Sequence, residues 1–162
     1  MKEIVISDGS KVKVDADDYD WLMEYKWSAK GNGYAMRGVH IGKRKYRYFL
    51  MHREIIGAKK GEVVDHINGD KSDNRKCNLR IATPSQNSTN SKHRNNESGY
   101  RGVYLDKRRN LWKSEIRPSP GKRKFLGYFE NKEDAALAYN EAAEKYHGDF
   151  AKLNKIGKVD VQ

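Results

Sequence analysis

The chain has 162 residues, with 33 Lys and Arg against 22 Asp and Glu, a formal net charge of +11. Only 36% of residues are hydrophobic and 34% are charged, which argues against one large core and for two small ones, while 3 Trp, 10 Tyr and 4 Phe supply aromatic anchors that a disordered chain lacks. One cysteine, Cys77, excludes an internal disulfide and a cysteine-cluster zinc site; with no run near the ~18 apolar residues of a membrane span and no signal-peptide core in residues 1–8, a cytoplasmic protein without a membrane partner is expected.

Residues 3–7 and 11–15 alternate around Asp8-Gly9 and predict a hairpin. From Asp15 to Lys26, early acids and the helical spacing of Trp21, Leu22 and Tyr25 predict a short helix. Residues 33–39 and 44–51 predict two strands joined by a glycine turn at Gly42. The second alternates aromatic with basic residues and then runs apolar towards His52 and Arg53. Residues 62–67 predict another strand, ended by the turn cluster Asn68-Gly69-Asp70. Residues 78–82 resume as a short strand.

Thr83-Pro84-Ser85-Gln86 is a compact helix start, with Thr83 as N-cap, Pro84 at the first helical position and Gln86 completing a capping box. Asn87 therefore falls in the first full turn. Residues 88–97 hold no apolar side chain and read as helix end plus linker. Three strands follow at about 100–105, 111–117 and 123–129, with turns at 108–110 and 118–121. Asn131 then caps a helix whose apolar stripe is Ala135, Ala138, Tyr139, Ala142, Ala143 and Tyr146, ended by Gly148. The fold class is α+β: a β-rich N-terminal region, then a three-stranded antiparallel sheet packed on one helix.

Charge is unevenly spread. Residues 1–25 carry three Lys against seven acids, a net of −4, and residues 92–124 carry eleven Lys and Arg against three acids, a net of +8. A basic stretch interleaved with Tyr100, Tyr104, Trp112 and Phe125 points to a polyanion, and a pI of 9.6 to nucleic acid.

Two constellations carry chemistry. The first spans residues 63–87, where a strand bears Asp65 and His66, a second strand follows Asn78, and a helix carries Asn87. The Asp65 carboxylate and the Asn87 amide oxygen are hard donors suited to Mg²⁺ or Mn²⁺. Adjacent residues of an ideal strand face opposite ways, so a bulge or strand end must re-aim Asp65 or His66. The segments Met51-His52-Arg53, Val64-Asp65-His66-Ile67-Asn68-Gly69-Asp70, Asp73-Asn74-Arg75, Asn78-Leu79-Arg80 and Gln86-Asn87 together resemble the HNH endonuclease family, over about residues 48–95. They look most like its phage and intron-encoded branch with an H-N-N pattern; the zinc-binding cysteine pairs of the family are absent. The resemblance implies a ββα-metal unit with His66 as general base, Asp65 and Asn87 holding one divalent metal, and Asn78 pinning the loop and orienting the histidine. It also implies that the N-terminal strands support this small unit by packing. His52 and Arg53 match the strand that precedes the motif in the family, with phosphate contact or ring orientation as their expected roles.

The second constellation is Ser98-Gly99-Tyr100-Arg101-Gly102-Val103-Tyr104, Trp112 to Arg117, Phe125 to Phe129, Glu133 to Tyr139 and Leu153-Asn154. It resembles the plant AP-two/ethylene-response-factor DNA-binding domain, whose sheet enters the major groove. On strand 111–117, Trp112, Ser114 and Ile116 share one face and Lys113, Glu115 and Arg117 the other. The resemblance puts Arg101, Glu115, Arg117, Arg123 and Phe125 on double-stranded DNA, and the charged strand face adds Lys113. Ordinary cross-strand ion pairing is the competing account of these charges. Tyr104 and Asp106 stand where the plant domain has arginines, so its base preference does not carry over.

Together these resemblances imply a nuclease domain over 1–95 and a DNA-reading domain over 96–162. They describe a homing-type endonuclease of phage or mobile-element origin acting in a bacterial cytoplasm. The rival is a non-catalytic DNA-binding regulator with a decayed nuclease fold, against which stand competent residues at all four motif positions. The sequence leaves open monomer or homodimer, and nick or double-strand break.

Overall fold

The structure, a computed structural model, describes residues 1–29, 31–89 and 96–157; residues 90–95 of the expected linker lie outside the described residues. The chain forms two compact units, residues 1–87 and 88–162, built from small antiparallel sheets and short helices in an α+β arrangement.

In the first unit β1 (Lys2–Val5) and β2 (Lys11–Val14) form a hairpin in regular register, Lys2 opposite Val14 and Val5 opposite Lys11. Helix α1 (Ala16–Met23) follows. Ile4, Ile6, Val12, Val14 and Leu22 are buried together with Trp27, whose indole N–H donates to the Leu22 carbonyl at 2.8 Å. A strand of two residues that the sequence does not signal, β3 (Ser28–Ala29), edges a sheet completed by β4 (Ala35–Gly42) and β5 (Lys45–Leu50).

The segment after β5 is not strand. Met51–Ile55 forms helix α2, with Met51, His52 and Ile55 buried. Met51 and Ile55 are four residues apart and one helical turn brings both into the core, which outweighs the local strand pattern. The expectation that His52 and Arg53 sit on a strand is corrected accordingly.

Next come β6 (Val63–His66), a 3₁₀ turn at Lys76–Asn78, β7 (Leu79–Ala82) and α3 (Pro84–Thr89). β6 and β7 pair without a bulge, Asp65 opposite Arg80 and His66 opposite Leu79. The capping box at α3 is complete: the Thr83 backbone N–H donates to Gln86 Oε1 at 2.8 Å, and the Gln86 N–H to Thr83 Oγ1 at 3.2 Å.

The loop between β6 and β7 docks on the edge of β2. The Lys13 N–H donates to the Ser72 carbonyl and the Asn74 N–H to the Lys13 carbonyl, both at 2.8 Å. The Lys76 N–H donates to Asp15 Oδ2 at 2.7 Å and its ammonium pairs with Asp18 at 2.8 Å. The N-terminal hairpin and helix thus support this loop.

The second unit is a three-stranded antiparallel sheet in the order β10-β9-β8, from β8 (Val103–Asp106), β9 (Leu111–Ser119) and β10 (Lys122–Phe129), with α4 (Lys132–His147) packed on it. β9 runs through Pro118, which the sequence places in a turn; a register shift between Lys122 and Lys124 accommodates it where the ladder is already interrupted. Asn131 caps α4, its Oδ1 accepting from the Asp134 N–H at 2.8 Å. Ala135, Ala136, Tyr139, Ala142 and Ala143 are buried, against Val103 and Ile116 among others. Ala136 takes the buried place that the sequence pattern gives to Ala138, which is half-exposed. Gly102, at φ +75°, lets β8 approach the Tyr139 ring more closely than any side chain would allow.

Candidate functional site

His66 is the last residue of β6, and this strand end lets both it and Asp65 be buried, each 4% exposed. The chain turns immediately after it: the Ile67 N–H donates to the Asn78 carbonyl at 2.9 Å and the Gly69 N–H to the His66 carbonyl at 2.8 Å. His66 Nε2 lies 2.8 Å from Asn74 Oδ1. On its other side the Asn74 amide puts Nδ2 at 3.6 Å from the Met51 sulfur, which can only accept. The amide oxygen therefore faces the ring, and Nε2 is the donor in this contact.

Asn74, 1% exposed, thus holds one side of the histidine ring. Asn78, expected to pin the loop and orient the histidine, bonds within the loop. Its Oδ1 accepts from the Asn68 N–H at 3.0 Å and its Nδ2 donates to the Asp73 carbonyl at 2.7 Å, which pins the loop. The sequence places Asn74 in the motif segment Asp73-Asn74-Arg75 without deciding between a motif role and loop structure; the signal that points to His66 is its spacing, eight residues on across a turn cluster.

Two further rings close over the site. His52 is buried with its ring centroid 5.1 Å from that of His66, and Tyr34 lies 4.7 Å from His52 and 5.8 Å from His66. Burial first, then the neighbouring His66 and Arg53, push His52 down to about 3, so this imidazole is neutral at any working pH. Its Nδ1 has no hydrogen-bond partner among the described residues. Burial, and then the Asp65 charge, raise the Tyr34 hydroxyl above its ordinary value. Arg53 does not face the site's rings; its guanidinium donates to the carbonyls of Glu62 and Lys59, tying α2 to the loop before β6.

Asp65 Oδ2 accepts from Arg80 Nε at 2.9 Å and Nη2 at 2.7 Å, across the strand pair. Asn87 is half-buried in the first turn of α3. Among the described residues no group of three or more His, Cys, Asp or Glu is arranged to hold a metal ion. The expected donors are one carboxylate and one amide oxygen, Asp65 and Asn87, which lie outside such a grouping. As a donor set they fit a hard divalent cation, with Arg80 already on one carboxylate oxygen.

The second unit presents a charged sheet face opposite its core. Ser114 and Ile116 are buried towards α4, while Tyr104, Lys113, Glu115, Arg117 and Arg123 line an open pocket of about 300 Å³. Glu115 is held by both neighbours, 2.7 Å from the Lys113 ammonium and 3.6 Å from Arg123 Nη1. Arg117 is exposed and makes no ion pair among the described residues. Phe125, opposite Glu115 in the ladder, is 52% exposed and leans on Tyr128 at 5.0 Å. Arg101 is not among the pocket's lining residues; its guanidinium hydrogen-bonds the Tyr139 hydroxyl. Tyr104, one of the aromatics interleaved in the basic stretch, joins the pocket wall.

The arrangement is that of a buried, oriented imidazole beside a carboxylate, in a chain of strongly basic charge. Residues 56–89, which include Asp65, His66, Asn78 and Asn87, match the HNH endonuclease family. The chain is 32% identical over 149 residues to an uncharacterized HNH endonuclease of Acanthamoeba polyphaga mimivirus, covering 91% of this chain and 76% of that protein. It belongs to the HNH endonuclease family. It is also 34% identical over 95 residues to protein 3.8 of Escherichia phage T7, covering 58% of this chain and 77% of that one. A shorter stretch of 56 residues is 48% identical to dehydration-responsive element-binding protein 2C of Arabidopsis thaliana, covering 34% of this chain and 16% of the plant protein. No solved structure matches the chain.

Proposed function

We propose that the protein is a homing-type DNA endonuclease. Residues 1–95 would hydrolyse phosphodiester bonds of double-stranded DNA, and residues 96–162, an AP-two/ethylene-response-factor-like domain, would read the target with their sheet. The observation that carries the reading is the buried His66 ring, its Nε2 proton held by Asn74 at 2.8 Å beside the Asp65 carboxylate. His66 Nδ1 takes a proton from water as the water oxygen attacks phosphorus, and the bond from phosphorus to the leaving oxygen breaks. Asp65 and Asn87 would hold a divalent cation, Mg²⁺ or Mn²⁺, which would supply charge neutralisation at the scissile phosphate and the leaving oxygen. Asn78 keeps the loop closed, and His52, neutral and packed on the His66 ring, excludes water from one side of it. The Arg80 guanidinium holds the buried Asp65 carboxylate in place.

On the second unit, Arg117, Arg123 and Lys113 supply cations to the duplex, Phe125 an exposed ring and Glu115 an acceptor once its ion pairs open. The similarity to the plant dehydration-responsive element-binding protein supports this part of the reading. The setting of this reading is the cytoplasm of a bacterial host, with the protein encoded by a phage or mobile element; the similarity to a protein of Escherichia phage T7 supports the phage part.

The test is cutting of supercoiled plasmid with and without Mg²⁺ or Mn²⁺. Wild type should cut only with metal, and His66→Ala should lose about 10²-fold or more in rate while still retarding duplex DNA. Equal cutting by His66→Ala, or cutting unaffected by chelation, overturns the assignment.

A further inference from the structure

The β4–β5 hairpin takes no part in the site described above, yet it carries a concentration of unusual features. Between residues 35 and 50 there are five cations, Arg37, Lys43, Arg44, Lys45 and Arg47, and no acid. Arg37 is paired with Glu54, but the other four have no ion-pair partner among the described residues. The two-residue turn is Lys43-Arg44, with φ of +33° and +62°. That left-handed turn is cheapest with Asn-Gly, so the hairpin bears local strain to keep two cations at its tip.

One face of the hairpin is aromatic. The register sets His40 opposite Tyr46 and Gly38 opposite Tyr48. Tyr46 and Tyr48 are 55% and 62% exposed, with ring planes 28° apart and centroids at 6.4 Å, and His40 meets Tyr46 edge-on at 5.2 Å. Both tyrosines lean over Gly38, where a Cβ would lie 3.3 Å from Tyr48 and 3.6 Å from Tyr46. The glycine gives the rings a floor and leaves their outer faces to solvent. Large exposed rings of this kind are costly unless something covers them.

We infer that this hairpin is a nucleic-acid arm, distinct from the C-terminal sheet, that takes a polynucleotide strand with unpaired bases on Tyr46 and Tyr48. A second copy of the hairpin would meet like charge, whereas a phosphate backbone complements Lys43, Arg44, Lys45 and Arg47. Open aromatic faces flanked by cations match the base faces and phosphates of a single strand; a stacked duplex hides the former. The inference is independent of the cleavage reading, since it concerns binding without metal.

The experiment uses the full chain in chelator, with fluorescence anisotropy of a labelled single-stranded oligodeoxynucleotide and of the same sequence as duplex. Tyr46→Ala/Tyr48→Ala should weaken single-strand binding about ten-fold or more, with duplex binding within two-fold. Tyr46→Phe/Tyr48→Phe, which keeps the rings, should bind as wild type. Lys43→Gln/Arg44→Gln should lower the salt slope for the single strand by about 1.4, the counterions of two contacts. Since both tyrosines are exposed, circular dichroism should show an unchanged fold. Single-strand binding within three-fold of wild type in the alanine variant overturns the inference. So does an equal loss on the duplex, or a loss in the phenylalanine variant as large as in the alanine one. Failure here leaves the plasmid result on His66 standing, and the converse.

Discussion

If Asn74 fixes the tautomer of His66, replacing it should slow cutting without removing the base. The contact is a buried hydrogen bond of 2.8 Å between His66 Nε2 and Asn74 Oδ1. Such a bond is worth about 0.5–1.5 kcal/mol net, or about two- to twelve-fold in the balance between the two neutral tautomers. Asn74→Ala also frees the ring to rotate, so a fall of about 10–100-fold in the single-turnover rate is expected, smaller than the ~10²–10⁴-fold that a general base supplies. A buried N–H left unpaired adds a stability loss of about 1–3 kcal/mol, read from urea midpoints.

Asn74→Asp separates orientation from mere packing. A carboxylate on the Nε2 side favours the protonated ring, so the acid limb of the rate profile should move to higher pH while the rate at alkaline pH recovers towards wild type. The assay is single-turnover cutting of saturating duplex from pH 5.5 to 9. Wild-type rates in Asn74→Ala, or an acid limb that stays put in Asn74→Asp, would show that His66 is oriented by something else.

Gly102→Ala should destabilise the second unit by about 2–5 kcal/mol, from the left-handed backbone at φ +75° and a methyl group driven into Tyr139 and to 2.6 Å from the Glu115 carbonyl. Urea denaturation measures it, and a loss below about 1 kcal/mol would refute the packing argument. His52, held down to about 3 mainly by burial, stays neutral in the fold while the unfolded chain takes up a proton below about 6.5. Its contribution is therefore whole above that pH and is lost as pH falls from about 6.5 towards 3, at up to ~1.4 kcal/mol per pH unit. Compared with His52→Leu, wild type should lose stability faster on acidification from pH 7 to 4; parallel curves would contradict the buried neutral ring.

What was legible in the sequence was what local chemistry decides. The Thr83–Gln86 capping box, the Asn131 cap and the Asp8-Gly9 hairpin depend on residues within a few positions of one another, and each is realised. The Asp65-His66 pair was visible as a motif, and its strand end solved the problem of two adjacent inward side chains. Helix α2 was hidden because it is only five residues long and continues directly from a strand, and the core behind Met51 and Ile55 makes the choice. The partners of His66 were hidden for a related reason. Tyr34 and His52 come to it from other elements, and Asn74 acquires its role only because its loop is fixed from outside.

That outside support gives the acidic N-terminal segment its meaning. A net of −4 over residues 1–25 runs against the charge of a protein whose substrate would be a polyanion. Two of those acids hold the loop that carries Asn74: Asp15 accepts from the Lys76 N–H, and the nearly buried Asp18 pairs with the Lys76 ammonium. The backbone of β2 takes the other side, with Lys13 bonded to Ser72 and Asn74. The family match over 56–89 contains the imidazole, the carboxylate and both motif asparagines, but not the strand and helix against which Asn74 is held. In this chain the orientation of the histidine is therefore a property of residues 1–87 folded as one unit, with the motif supplying the ring and the N-terminal hairpin supporting the loop that holds it.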